Sequence, residues 1–242
     1  MYIINPGYNA IPNTISYTKL ILYLPIDVYT RQPSTIIIFP IYNTISTHKQ
    51  PIRPTMNTPE VYQTEKEYRK KLREFEKKYE THMIVTSRFT NETFSENESF
   101  RKKNTKVGCV YCSPTPMTLK WGEEKKLFVF EMNNSINQIE GIGVIQNKPI
   151  VNKYKVYETF SYNRYTYIGR YRISRKDMND EEEEIMKAFD RFCFTGAKNL
   201  KRGKGITAFP IEILYKCSKH MDLVEFVRNM FKTRFSNTQT ST

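Results

Sequence analysis

At 242 residues the chain can bury a full core without disulfide or metal staples, which excludes the mini-protein class. A formal net charge of +13 and a pI near 9.4 concentrate anions around it and make nucleic acid or an acidic surface the default partner class. Four cysteines and three histidines without a dense pairing pattern indicate a reducing compartment, and the apolar runs at 20–26 and 36–42 are too short to span a bilayer, so a soluble intracellular protein with no membrane partner is expected.

Residues 1–55 hold one acid, Asp27, and four Lys/Arg, whereas charges of both signs are dense from Glu60 onward. This low-charge segment reads either as an extended N-terminal arm, poorly ordered until a partner or the main sheet receives it, or as a translated upstream region with Met56 as the start used in the cell. Thr58 as N-cap and Pro59 at the first helical position then open a helix over 59–81. Tyr68, Leu72, Phe75 and Tyr79 share its apolar face.

Residues 91–106 are polar and read as a loop. Short β-prone runs follow at 106–112, 118–121, 126–132, 139–146, 150–159 and 164–174, a density that implies a sheet or a small barrel. Asp180 and Glu181 to Glu184 place acids in the first turn of a second helix, with Ile185, Met186, Phe189, Phe192 and Cys193 inward and a stop at Gly196. A strand over 206–215 and a last helix over 219–234, burying Leu223, Val224, Val227, Met230 and Phe231, complete a domain over 56–235. The tail, 236–242, reads as disordered. The expected class is α+β: a mixed or antiparallel β-rich centre flanked by three helices.

The most informative stretch is 153–176, KYKVYETFSYNRYTYIGRYRISRK, with seven aromatics, seven Lys/Arg and one acid, Glu158. Rings interleaved with guanidinium groups suit a polyanion whose bases can stack. In extended chain Tyr165, Tyr167, Tyr171 and Ile173 share one face, while Arg164, Arg170 and Arg172 share the other. A half-buried hairpin with a solvated basic face would read the same way. Downstream, Lys198, Lys201, Arg202 and Lys204 form a basic loop in which Gly203 and Gly205 let backbone amides approach an anion. The loop lacks the spacing of a P-loop. The candidate nucleic-acid contacts are therefore Trp121, Tyr162 and Tyr165 for stacking, and Arg164, Arg170, Arg172, Lys198, Lys201, Arg202 and Lys204 for phosphates.

Cys109 and Cys112 form a C-x-x-C, and Cys217 with His220 a C-x-x-H, together a candidate Cys3His set for a structural zinc. The alternative is a pair of small buried thiols in a tight turn. Ser113-Pro114-Thr115-Pro116 blocks the helix that a thioredoxin-like redox motif would need.

Leu127, Phe128, Val129 and Phe130, followed by Asn133 and Asn134 and then by Gly141, Ile142 and Gly143, resemble an element of the PUA-like superfamily of YTH, EVE and ASCH domains. The resemblance implies a small β-barrel that reads a base in RNA or DNA through an aromatic pocket, with Asn133 and Asn134 as polar members. YTH domains build that cage largely from tryptophan, and here Trp121 stands alone. Lys155-Val156-Tyr157 and Tyr167-Ile168-Gly169 resemble the GIY-YIG nucleases instead, which implies Arg175 and Glu184 as the downstream arginine and metal-binding acid. The strings FEMNN, GIGVIQN, YNRYTYIG and LKRGKGIT are similar to uncharacterised proteins of large nucleocytoplasmic DNA viruses. That likeness implies a location in host cytoplasm or virion and admits other virion proteins as partners.

The leading expectation is a non-enzymatic protein that binds nucleic acid, RNA or DNA, through the Tyr/Arg hairpin and the basic loop. A minor capsid or core protein and a GIY-YIG-like nuclease are the alternatives.

Overall fold

Eight strands and five α-helices make up the computed structural model, which describes residues 59–236, and six of the strands follow one another without an intervening α-helix. The elements run α1 (Pro59–Lys78), β1 (His82–Phe89), α2 (Asn91–Lys103), β2 (Cys109–Ser113), β3 (Lys126–Asn133), β4 (Gln138–Gln146), β5 (Ile150–Val151), β6 (Tyr165–Gly169), β7 (Tyr171–Ser174), α3 (Asp180–Phe194), β8 (Ile206–Ala208), α4 (Ile211–Cys217) and α5 (Leu223–Phe235). The readings made for the N-terminal arm, Met56, Thr58 and the tail from 237 lie outside the described residues.

Five strands form a mixed sheet in the order β7-β4-β3-β1-β8, with β1 and β3 parallel and the other pairs antiparallel. Strands β2, β6 and β5 form a second, antiparallel sheet. The α+β class is as expected. Among the described residues the strands close no barrel, and five helices replace the expected three.

Strand β3 shows why two layers cover the larger sheet. Alternation sends Phe128 against Phe231 of α5 and Phe130 against Phe189 of α3, while Leu127 and Val129 join Tyr111 of β2 in the core between the sheets. Glu131 points the same way as Leu127 and Val129 and is 1% exposed. It survives there because Tyr111 Oη donates to its Oε1 at 2.7 Å and Arg172 of β7 forms a bidentate pair with it. Gly143 leaves the room: a Cβ there would sit 2.1 Å from Tyr111 Oη.

Several local expectations are corrected. Residues 91–106 are mostly helix α2, started by a capping box in which Thr93 N donates to Thr90 Oγ1 and Thr90 N to Thr93 Oγ1. The run 164–174 divides at Arg170 into β6 and β7, which belong to different sheets. The run expected as a strand at 118–121 holds instead a 3-10 turn, Leu119–Trp121, 150–159 hold only the two-residue β5, and the strand expected to 215 ends at Ala208 before α4. Asp222 ties the first and last helices together, capping α5 through Glu225 N (3.1 Å) while accepting from Lys78 Nζ (2.8 Å) and Tyr79 Oη (2.7 Å).

Candidate functional site

The C-terminal ends of the parallel strands β1 and β3 leave a depression, and the start of α2, the segment before β6 and the loop before β8 wall it in. The cleft measures ≈ 250 Å³. Arg88 of β1, Asn134, Tyr157, Tyr162, Lys201 and Gly203 supply its chemistry, and no Asp or Glu lines it.

Arg88 is half-buried on β1, and its guanidinium is held from two sides. Its Nε donates to Leu200 O at 2.5 Å and its Nη1 to Thr207 Oγ1 at 3.0 Å. Burial pulls its pKa below the ordinary value, with the nearby Cys193 as the opposing influence. No carboxylate among the described residues pairs with it, so several N–H donors are left for an outside acceptor. Gly203, at φ +143, lets the basic loop lie across this group, since a Cβ there would meet Arg88 Cζ at 3.0 Å. Asn134 anchors the loop by donating from Nδ2 to Lys201 O at 3.0 Å. Its buried Oδ1 has no hydrogen-bond partner among the described residues.

The aromatic wall is equally constrained. Asn163 Oδ1 accepts from the backbone N–H of Val156 and Tyr157, and its Nδ2 donates to Tyr157 O at 2.6 Å, which fixes the turn carrying Tyr157. Asn97 Nδ2 donates to Tyr157 Oη, and burial followed by the proximity of Cys112 pushes that phenol well above its usual range. Tyr162, half-buried on the short 3-10 helix Phe160–Arg164, leans on the core with its ring at the cleft. The arrangement can hold an anionic oxygen beside a guanidinium that no carboxylate among the described residues neutralises, with the basic loop and an aromatic side chain lining the same small volume.

Other anticipated contacts are scattered. Lys198, Arg202 and Lys204 are exposed on the loop that carries Lys201. Arg164 is exposed, 5.4 Å from the centre of the Tyr165 ring, and Tyr165 itself packs half-buried on the core. Trp121 does likewise, on the 3-10 turn Leu119–Trp121. Arg170 stands at the β6–β7 corner and faces a different cleft. Arg172 is turned inward onto Glu131, with its side chain 10% exposed, so the reading of it as a phosphate contact is not supported by its placement. Asn133 is buried and spends its amide on Asn91 Oδ1 and Glu140 Oε1 and its oxygen on Ser135 N, leaving Asn134 as the member of that pair at the cleft.

Cys109 and Cys112 sit on opposite sides of β2, one near Val144 O and Tyr171 O and the other against Thr166 Oγ1. Cys217 is buried at the end of α4 and His220 is exposed beyond it. Among the described residues no group of three or more His, Cys, Asp or Glu is placed to hold a metal ion. Of the nuclease-like set, Tyr167 Oη accepts from Met117 N, Arg175 pairs with Glu183 and Asp190, and Glu184 pairs on the surface with Lys187.

Arg88 is the site residue that the sequence reading passed over. The signal was an arginine inside the otherwise buried run MIVTSRF, which implies a reason for keeping a charge there.

No protein-family model, curated protein or solved structure matches this chain. Among the described residues no helix is long and apolar enough to cross a membrane.

Proposed function

We propose that this protein binds single-stranded or structured nucleic acid without transforming it, using the cleft between β1, α2 and the basic loop. One observation carries the reading: Tyr162, from the aromatic and basic segment, and Lys201, from the basic loop, meet around an acid-free cleft that also contains Arg88, which no carboxylate among the described residues neutralises. A backbone phosphate is received by Arg88 and Lys201, with the exposed Lys198, Arg202 and Lys204 extending the positive surface, and an unstacked base lies against Tyr162. A binding role suits the groups present, since burial pushes the Cys112 thiol up to about 11 and the Tyr157 phenol higher still, leaving neither as a nucleophile at neutral pH.

The test is fluorescence anisotropy with labelled single-stranded RNA and DNA of mixed sequence over a series of salt concentrations. Affinity should fall steeply with salt, and replacing Lys201, Arg202 and Lys204 by Ala should flatten the log–log slope by roughly 0.7 per lost contact. Arg88→Ala should weaken binding at every salt concentration. Salt-independent affinity, or no binding at low salt, refutes the reading.

A further inference from the structure

At the opposite end of the five-stranded sheet, roughly 25 Å away along the eight residues of β1 at ~3.3 Å each, a second and larger cleft of ≈ 480 Å³ opens between the sheet and α5. Its rim is basic. Lys126 begins β3, Arg170 stands at the β6–β7 corner, and Arg228 and Lys232 lie one turn apart on α5. Glu225 is shared between Arg228 Nη1 at 3.0 Å and Lys232 Nζ at 3.6 Å, so one carboxylate serves two of the four cations. No ion pair joins Lys126 or Arg170 to a carboxylate among the described residues.

The floor is apolar and aromatic. Tyr171 and Phe235 pack with ring centres 4.8 Å apart, beside the half-buried Ile168, and the Arg170 guanidinium lies 5.9 Å from the centre of the Tyr171 ring. At one wall the His82 ring stacks on Phe128 at 5.8 Å, with Nδ1 2.7 Å from Thr81 Oγ1. The volume falls within the usual range of small-molecule sites, and an apolar floor with cations around it suits a planar ring that carries clustered negative charge.

We propose that this cleft binds a nucleoside polyphosphate, with its phosphates on Lys126, Arg228 and Lys232 and its base against Tyr171 and Phe235 beside Arg170. The inference does not rest on the nucleic-acid cleft, since the two sites share no residue. A built-in reporter accompanies it. Burial, then Arg228 and Lys126, with a smaller push from Lys232 against the pull of Glu225, hold the His82 pKa below its ordinary value. A bound polyphosphate beside those cations would offset them and move the His82 titration upward.

The experiment uses the full-length protein with ATP, inorganic tripolyphosphate and adenosine as separate probes, in calorimetry and in NMR titration of His82, assigned through His82→Gln. ATP should bind more tightly than either fragment and should raise the His82 midpoint. Arg228→Ala with Lys232→Ala should weaken ATP binding by about tenfold or more, while Arg88→Ala leaves it unchanged. No binding at millimolar ATP, an unmoved His82 midpoint, or tripolyphosphate binding as tightly as ATP each overturns the proposal. Loss of ATP binding in Arg88→Ala, with retention in the α5 double variant, places the ligand in the other cleft and overturns it too.

Discussion

Arg172 Nη2 lies 2.6 Å from Glu131 Oε2 in the space between the two sheets, with Nε 2.9 Å from Oε1, where the carboxylate is 1% exposed and also accepts from Tyr111. Burial works against the guanidinium charge, but Glu131 outweighs it and holds the Arg172 pKa above its ordinary value. Removing one partner leaves an uncompensated buried charge. Arg172→Ala should therefore cost about 3–5 kcal/mol in chemical denaturation. Nucleic-acid affinity per folded molecule should stay unchanged, and a folded, fully stable variant with weakened binding would return Arg172 to the binding surface.

Tyr162 separates stacking from mere packing. Tyr162→Phe keeps the ring and should bind single strands almost as the parent does, whereas Tyr162→Ala should lose about 1–3 kcal/mol of binding free energy. Melting temperatures measured in parallel show whether any loss comes from the fold. Equal affinities for parent and Tyr162→Ala would remove the base from the proposed site.

The Asp222 junction sets an acid dependence. Burial works against its charge, but hydrogen bonds from Lys78 and Tyr79 prevail and hold the carboxyl below its ordinary 3.8. The unfolded chain then takes up the proton more readily than the folded one, so this contribution is complete above the unfolded value and is lost as pH falls through the lower folded value. Asp222→Ala, which also removes the cap of α5, should cost about 0.5–2 kcal/mol near neutrality. The difference in melting temperature between parent and Asp222→Asn should shrink as pH drops from 7 toward 3.

Burial pushes the thiols of Cys109 and Cys193 up to about 12 and those of Cys112 and Cys217 up to about 11. All four should react slowly with an aromatic disulfide reagent at pH 8 in the native protein and rapidly in denaturant. A chelator should leave the melting temperature unmoved. A chelator-induced drop, with one equivalent of zinc released, would reinstate Cys109, Cys112, Cys217 and His220 as a metal set.

The long strands and the helices with clean apolar stripes were legible in the sequence because one periodicity dominates each. Strands β3 and β4 and helices α3 and α5 fall within a few residues of their expected limits. Helix α2 was hidden because its inward face includes Asn97, which is buried and donates to Val110 O and Tyr157 Oη, so no apolar stripe marks it; Thr90 and Thr93 were the available clue. Arg172 was misplaced because alternation assigns it a face but cannot say that the face is covered. Glu131 within KLFVFEMN carried that information, since a carboxylate in a buried strand demands a cationic or donor partner. The basic loop was legible from its composition, while its meeting with Tyr162 and Arg88 depends on contacts far apart in the chain.

The division of one ribbon at Arg170 has a mechanical meaning. Tyr162 lies just before β6, at one cleft, and Tyr171 opens β7 at the other; between them all five residues of β6 pair with β2, and Tyr165 and Thr166 pair with β5 as well. Gly169 is pressed so closely on Val144 that a Cβ there would lie 1.9 Å from its carbonyl oxygen, and its own carbonyl accepts from Gly108 N. The segment therefore behaves as a short strut clamped along its length. Whatever reorders one end must work against the hydrogen bonds that fix the other, and amide exchange over 165–169 is where such a strain would register first.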